Sequence, residues 1–64
     1  MSDFKTRLHD EKAELSTKIE KLSSFIDGDI FKTLDSHNQD LLKTQLHIMR
    51  SYENVLTIRI SIIK

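Results

Sequence analysis

The sequence contains no cysteine, no proline and a single glycine. Without cysteine, disulfides and thiolate zinc sites are excluded as supports for a small domain. A chain of 64 residues buries too little surface to be very stable alone, so association between subunits is the remaining support. One glycine also excludes a glycine-rich phosphate loop, and any phosphate must be held by basic side chains or a helix N-terminus.

The chain also lacks an excess of charge of either sign and a long apolar run. Ten basic and ten acidic side chains give a formal net charge of zero, so polymeric nucleic acid is not expected as a partner. No run approaches the roughly 18 apolar residues of a membrane span, and the first residues lack the core of a signal peptide. We therefore expect one soluble intracellular domain, residues 1–64, that does not enter a membrane.

The first half of the chain has the spacing of an amphipathic helix. Its apolar residues recur every seven positions and again four positions later: Leu8, Leu15, Ile19, Leu22 and Ile26. This pattern predicts a helix over residues 3–27. Gly28 is expected to close this helix in the left-handed conformation that favours glycine.

A short turn and a second long helix are predicted next. Residues 29–34 are too few for an independent helix, and their apolar side chains are expected to plug the end of a hairpin as one helical turn. Ser36 followed by Gln39 has the form of a capping box, with Asp35 as the alternative N-cap. The second helix is therefore predicted over residues 36–63.

The end of this second helix leaves an alternative open. Residues 55–63 are rich in β-branched side chains and nearly alternate, which is also typical of a strand. The chain offers no second segment of this character to pair with it, and this favours the helix.

The second helix carries two apolar stripes on adjacent faces, about 100° apart. The first stripe consists of Leu42, Leu46, Met49, Leu56, Ile60 and Ile63, and the second of Leu41, Ile48, Tyr52, Val55 and Ile62. One partner helix can cover only one stripe, and an uncovered stripe would promote aggregation. The sequence therefore predicts an all-α fold, an antiparallel helical hairpin with a short connecting turn, that forms a homo-oligomer through its second long helix.

Few residues are arranged for catalysis or metal binding. No histidine lies three or four positions from another, so neither a metal nor another cofactor is expected. Asp10, Glu11 and Glu14 form an acidic group, but a hairpin of this size cannot enclose a catalytic cleft around them. We therefore expect that the protein is not an enzyme.

Basic side chains are the candidates for binding an anion: Arg7, Lys18, Lys21, Arg50 and Arg59. Arg59 differs from the others because it interrupts the second stripe, where an unpaired cation would be costly. Its partner is either a carboxylate, Glu53 or Asp40 of a neighbouring chain, or the phosphate or base of a ligand. Tyr52 in the same stripe either packs against a neighbouring chain or offers a stacking surface.

A pattern across both predicted helices carries a family resemblance. Its less generic elements are Phe25-Ile26 before the glycine, Leu41-Leu42 followed by Gln45, and Met49, Tyr52 and Arg59-Ile60. This pattern resembles the helical-hairpin domain shared by phage anti-CBASS and anti-Thoeris sponges, which bind cyclic oligonucleotides. The resemblance extends over nearly the whole chain.

The resemblance implies a phage protein that acts in the cytoplasm of the infected bacterial host. Such sponges are hexamers that sequester cyclic di- or trinucleotides without degrading them. Their ligands are held by a lysine of the first long helix and an arginine near the C-terminal end, which implies Lys18, with Lys21 one turn away, and Arg59. An N-terminal aromatic residue stacks on the dinucleotide, and Phe4 is the candidate for this role. The alternative is a coiled-coil interaction module or inhibitor that binds a host protein.

Overall fold

The computed structural model of the protein describes residues 3–63, all of which belong to one helical hairpin. In chain order its helices are α1 (Phe4–Ile26), α2 (Asp29–Lys32) and α3 (Ser36–Ile62). Helices α1 and α3 pack antiparallel, and the single turn α2 joins them, so the predicted all-α hairpin with its connecting turn is confirmed. Met1, Ser2 and Lys64 of the predicted domain 1–64 lie outside the described residues.

Helix α1 begins with a side-chain cap and ends without a left-handed residue. The Asp3 carboxylate accepts a hydrogen bond of 2.8 Å from the Thr6 amide, which satisfies one of the free N–H groups of the first turn. At the other end, the amides of Asp27 and Gly28 donate to carbonyl oxygens of the last turn, each at 3.1 Å. Since these bonds already close the helix, the prediction that Gly28 is left-handed is wrong. Gly28 has φ −91° and ψ 174°, an extended conformation open to any residue.

Helix α3 is capped by Asp35, and the predicted capping box at Ser36 is not formed. The Asp35 carboxylate accepts a hydrogen bond of 2.9 Å from the Asn38 amide. The Gln39 side chain turns instead toward the connecting turn, where its amide donates to the carbonyl oxygens of Phe31 and Leu34 at 3.1 and 3.0 Å. Gln39 therefore ties α2 to α3 and fixes the closed end of the hairpin.

The hydrophobic core lies along the contact between α1 and the first stripe of α3. Its buried members are Leu8, Leu15, Ile19, Leu46 and Leu56, and the half-buried side chains packed against them are Leu22, Ile26, Met49, Ile60 and Ile63. Leu56 is fully enclosed. Because Ile60 and Ile63 pack into this core and α3 is helical through Ile62, residues 55–62 are helix and not strand.

The connecting turn plugs the end of the hairpin with only part of its apolar surface. Phe31 is buried and meets the ring of Phe25 edge to face, with centroids 6.4 Å apart. Leu34 is half-buried, whereas Ile30 is 66% exposed and points away from the core. The expectation that all three apolar residues of the turn close the hairpin is therefore wrong for Ile30.

A polar pair, Ser16 and Glu53, crosses the contact between α1 and α3. Glu53 interrupts the first stripe, and its half-buried carboxylate accepts a hydrogen bond from the Ser16 hydroxyl of α1. A carboxylate within an apolar contact is costly unless it is hydrogen-bonded. Ser16 provides that bond, and the pair marks the register in which the two helices lie.

Truncation of the core should be strongly destabilising. Leu56→Ala removes a fully enclosed side chain and is expected to lower the free energy of unfolding by about 2 to 5 kcal/mol. Ile30→Ala, a matched change at an exposed aliphatic residue, should alter it by less than about 0.5 kcal/mol. Urea unfolding followed by circular dichroism measures both, and equal effects would contradict this description of the core.

The cap of α1 should respond to acid. The hydrogen bonds from Thr6 lower the pKa of the Asp3 carboxyl below its ordinary value of 3.8. A carboxyl group whose pKa is lower in the folded than in the unfolded state stabilises the fold at pH values above its unfolded-state pKa. This stabilisation is lost as the pH falls through the lower, folded-state pKa. Asn caps helices but does not titrate, so Asp3→Asn should abolish an acid-induced shift of the Thr6 amide in NMR spectra. If the Thr6 amide shifts equally with pH in the wild type and in Asp3→Asn, the shift does not arise from protonation of Asp3.

Candidate ligand-binding flank

The second stripe of α3 lies on the same side of the hairpin as one face of α1. Residues seven apart on a helix share a face, and residues three or four apart are neighbours. We call this side the Arg59 flank. Its α1 members are Phe4, Arg7, Glu11, Glu14, Lys18, Lys21 and Phe25, and its α3 members are Leu41, Gln45, Ile48, Tyr52, Val55, Arg59 and Ile62. Of the residues that were predicted to bind a ligand, all except Arg50 are members of this flank.

Arg59 contacts an aromatic ring of α1. Its guanidinium lies over the Phe4 ring, 5.7 Å from the centroid, which is the geometry of a cation–π interaction. Both side chains are exposed in the single hairpin. Because it is exposed, Arg59 is not desolvated within one protomer, and among residues 3–63 it forms no ion pair with a carboxylate. Within the same protomer, the Glu53 carboxylate accepts a hydrogen bond from the Ser16 hydroxyl.

A shallow concavity surrounds this contact near the open end of the hairpin. It is lined by Phe4, Arg7, Leu8, Glu11 and Arg59. Leu8 is only 3% exposed and forms an apolar floor, while two guanidinium groups and one carboxylate stand around it. One guanidinium group can donate two parallel hydrogen bonds to two phosphate oxygens, and the face of an aromatic ring can stack on a base. The concavity therefore combines groups that suit the phosphate and the base of a nucleotide.

Lys18 and Lys21 mark a second position on the same flank. From the register of the Ser16 to Glu53 bond, Lys18 lies level with Tyr52 and about eight residues, or roughly 12 Å, along the axis from Arg59. Tyr52 is 43% exposed, so it is not part of the hairpin core. Phe4, Arg7 and Arg59 thus come together, whereas Lys18, Lys21 and Tyr52 lie farther toward the closed end.

Large apolar side chains continue along the whole flank. Those at least one-third exposed are Phe4, Phe25, Leu41, Ile48, Tyr52, Val55 and Ile62. The predicted second stripe is therefore uncovered in the single hairpin, as the sequence indicated. No helix within residues 3–63 is both long enough and apolar enough to cross a bilayer.

The opposite side of the hairpin is more polar and holds Arg50, the remaining basic candidate. A groove there is lined by His9, Lys12, Thr57, Ile60 and Ser61. The Thr57 and Ser61 hydroxyls donate to carbonyl oxygens of their own helix at 3.0 and 2.7 Å. In the described part of the chain, no group of three or more His, Asp or Glu side chains is placed to hold a metal ion.

Glu11 is the member of the concavity that the sequence analysis did not assign. It was considered for chemistry as part of an acidic group with its neighbours in sequence, and not as a residue that contacts a ligand. The available signal was its spacing, because Glu11 follows Phe4 by seven residues and Arg7 by four and so shares their face. Glu11 lines the concavity with both arginines.

Comparison with known proteins places this chain in a family. Neither the curated proteins nor the solved structures give a match. A family model described as Sequestin matches residues 2–62, nearly the whole chain. The name of that family fits the sequestering anti-defence proteins that the sequence resembles. The chain therefore belongs to the Sequestin family.

Proposed function

We propose that this protein sequesters cyclic oligonucleotide messengers of bacterial immunity and does not degrade them. In the cytoplasm of a phage-infected host, such a protein lowers the concentration of free messenger and so counters CBASS-type or Thoeris-type defence. Family membership supports sequestration of a ligand. The observation that carries the choice of ligand is the Arg59 flank, where cations lie beside exposed aromatic and aliphatic side chains.

The cations of this flank suit a phosphodiester, and its apolar surface suits a base. Among residues 3–63, Arg7 and Arg59 line one concavity with Phe4 and make no ion pair with a carboxylate. Their guanidinium groups are available for charge-assisted hydrogen bonds to phosphate oxygens. Phe4 and Tyr52 offer ring faces for stacking. Lys18 and Lys21, roughly 12 and 16 Å along the axis from Arg59, would meet a second phosphate or a second molecule.

Binding on this flank requires more than one protomer. Ligand sites usually bury most of the ligand surface, whereas the Arg59 concavity is shallow and open on its outer side. A second hairpin placed against the flank would supply the missing wall. It would also cover the row of exposed apolar side chains, which a single hairpin leaves in water. We propose a homo-oligomer, specifically a hexamer, formed through α3.

The mechanism needs binding alone. Phosphate oxygens accept hydrogen bonds from Arg59, Arg7 and Lys18, and bases pack against rings and aliphatic side chains at the junction of protomers. No bond of the messenger is broken, so the ligand is released intact when the protein is denatured. The number of messenger molecules that are sequestered is therefore proportional to the amount of protein present.

Native mass spectrometry tests this function directly. The purified protein is measured alone and with cyclic di- and trinucleotides, and the ligand is recovered after heat denaturation. We expect a hexamer that gains whole ligand masses and returns the ligand uncleaved. A protein that binds none of these nucleotides would contradict the proposal and favour an interaction module that binds a host protein through the same flank.

In the same experiment, Arg59→Ala should preserve the oligomer and weaken ligand binding at least tenfold, about 1.4 kcal/mol. A charge-assisted hydrogen bond is lost, whereas no core contact is removed. Arg50→Ala is the matched control, because Arg50 lies on the same helix but on the opposite side. Equal affinities of the two variants would show that Arg59 does not bind the ligand.

The proposed assembly is tested by a charge placed on the flank. Ile48 is 60% exposed in the single hairpin, so Ile48→Asp costs that hairpin little but would bury an unpaired carboxylate between protomers. We expect light scattering after size exclusion to give a mass near the 7.5 kDa of one chain. Ile30→Asp, at an exposed residue outside the flank, should leave the oligomer intact. An unchanged oligomer in Ile48→Asp would exclude this interface.

A further inference from the structure

The Arg59 concavity contains a group that phosphate binding alone does not explain. Glu11 lines it together with Arg7 and Arg59. A carboxylate repels phosphate, so its presence weakens a site built only to hold anions. Among residues 3–63, no ion pair joins Glu11 to either arginine. Glu11 is also exposed. Its carboxylate oxygens can therefore accept hydrogen bonds from a ligand in the concavity.

The position of Glu11 suits contact with the edge of a base. Side chains of a helix lean toward its N-terminus, so Glu11 leans toward Phe4 at the open end of the hairpin. Leu8 lies between them and forms the apolar floor. A base lying over this floor, with its phosphate at Arg59, would present its edge to the Glu11 carboxylate.

The chemistry of that edge separates guanine from adenine. An ionised carboxylate only accepts hydrogen bonds, and its two oxygens accept two parallel ones. Guanine offers two adjacent donors, N1–H and the N2 amino group, on its Watson–Crick edge. Adenine offers one donor, its N6 amino group, beside the lone pair of N1, which the carboxylate repels. A carboxylate at this position therefore accepts two hydrogen bonds from guanine and at most one from adenine.

We propose that Glu11 is a specificity-determining residue that selects guanine over adenine in the bound cyclic oligonucleotide. This inference rests on the proposed function and names the ligand more closely. The two arginines hold the phosphate of either nucleotide, whereas Glu11 pairs with one base only. The negative charge of Glu11 lowers the affinity of the site for any phosphate. The two hydrogen bonds that Glu11 accepts from guanine restore this affinity only for a ligand that carries guanine.

The test compares ligands that differ only by guanine for adenine. Cyclic di-GMP is compared with cyclic di-AMP, and a cyclic trinucleotide with one guanine is compared with cyclic tri-AMP, by isothermal titration calorimetry. We expect the wild type to bind the guanine ligand of each pair about tenfold more tightly or better. Glu11→Gln keeps the shape but adds a donor, which suits adenine. It should reduce the guanine preference at least tenfold and tighten binding of the adenine ligands.

Glu20→Gln is the matched control, because Glu20 is exposed on the same helix but outside the Arg59 flank. This variant should keep the wild-type preference. If the wild type binds both ligands of each pair equally, or if Glu11→Gln keeps the wild-type preference, the inference is wrong while the proposed function stands. If the wild type binds no cyclic nucleotide, the proposed function and this inference both fall.

Discussion

The structure depends on a mismatch between its two long helices. Helix α3 carries two apolar stripes about 100° apart, but α1 covers only the first. The buried core contains only a few side chains, with Leu56 at its centre. Any further burial must therefore come from surface outside the hairpin, and most of the exposed apolar side chains lie on one flank. The mismatch therefore leaves an apolar surface uncovered in the single hairpin, and this is the surface that we propose a second chain covers.

The closed end of the hairpin determines how the residues of the flank are matched. Apolar contacts that repeat every seven residues would tolerate a shift of one helix by a heptad. The turn prevents this, because Phe31 is buried there and the Gln39 amide donates to the carbonyl oxygens of Phe31 and Leu34. A heptad shift would move α3 by about 10 Å along α1 and separate Arg59 from Phe4. The site at the open end is thus set by hydrogen bonds at the closed end.

The periodicity of the apolar residues was sufficient to predict the hairpin, but it did not predict the local conformation at the helix ends. The repeat of Leu8, Leu15 and their equivalents reports burial directly, so both long helices and the uncovered stripe were predictable. Gly28 was expected to be left-handed because glycine alone suits that conformation, yet two ordinary backbone bonds close α1. Ser36 and Asp35 offered two caps of similar strength, and the tertiary role of Gln39 decided between them. Such choices depend on contacts that a single helix does not contain.

The sequence predicted most members of the candidate site, but it did not predict which of them lie close together. Arg59 was singled out by a charge in an apolar stripe, and an anionic partner was expected. Within one protomer its partner is the Phe4 ring, because antiparallel packing brings the start of α1 beside the end of α3. Glu11 was not proposed as a ligand-binding residue for the same reason: its neighbours in sequence suggested an acidic group, whereas in the fold it lines a concavity with Arg59 of α3.

The balance of charge on the flank bears on how a sequestering protein achieves selectivity. A chain with a formal net charge of zero lacks an excess of charge that would attract polyanions, so we expect nucleic acids to compete weakly for the proposed site. In the proposed assembly, affinity would come from a few local contacts in a concavity shielded by neighbouring chains, where charge-assisted hydrogen bonds are strengthened. A carboxylate among the cations is consistent with such selectivity. It lowers the affinity of the site for all anions, and it raises the affinity only for a ligand that has matching hydrogen-bond donors. In this proposal, the mixed charge of the site provides discrimination between ligands, and apolar burial between protomers provides the stability of the assembly.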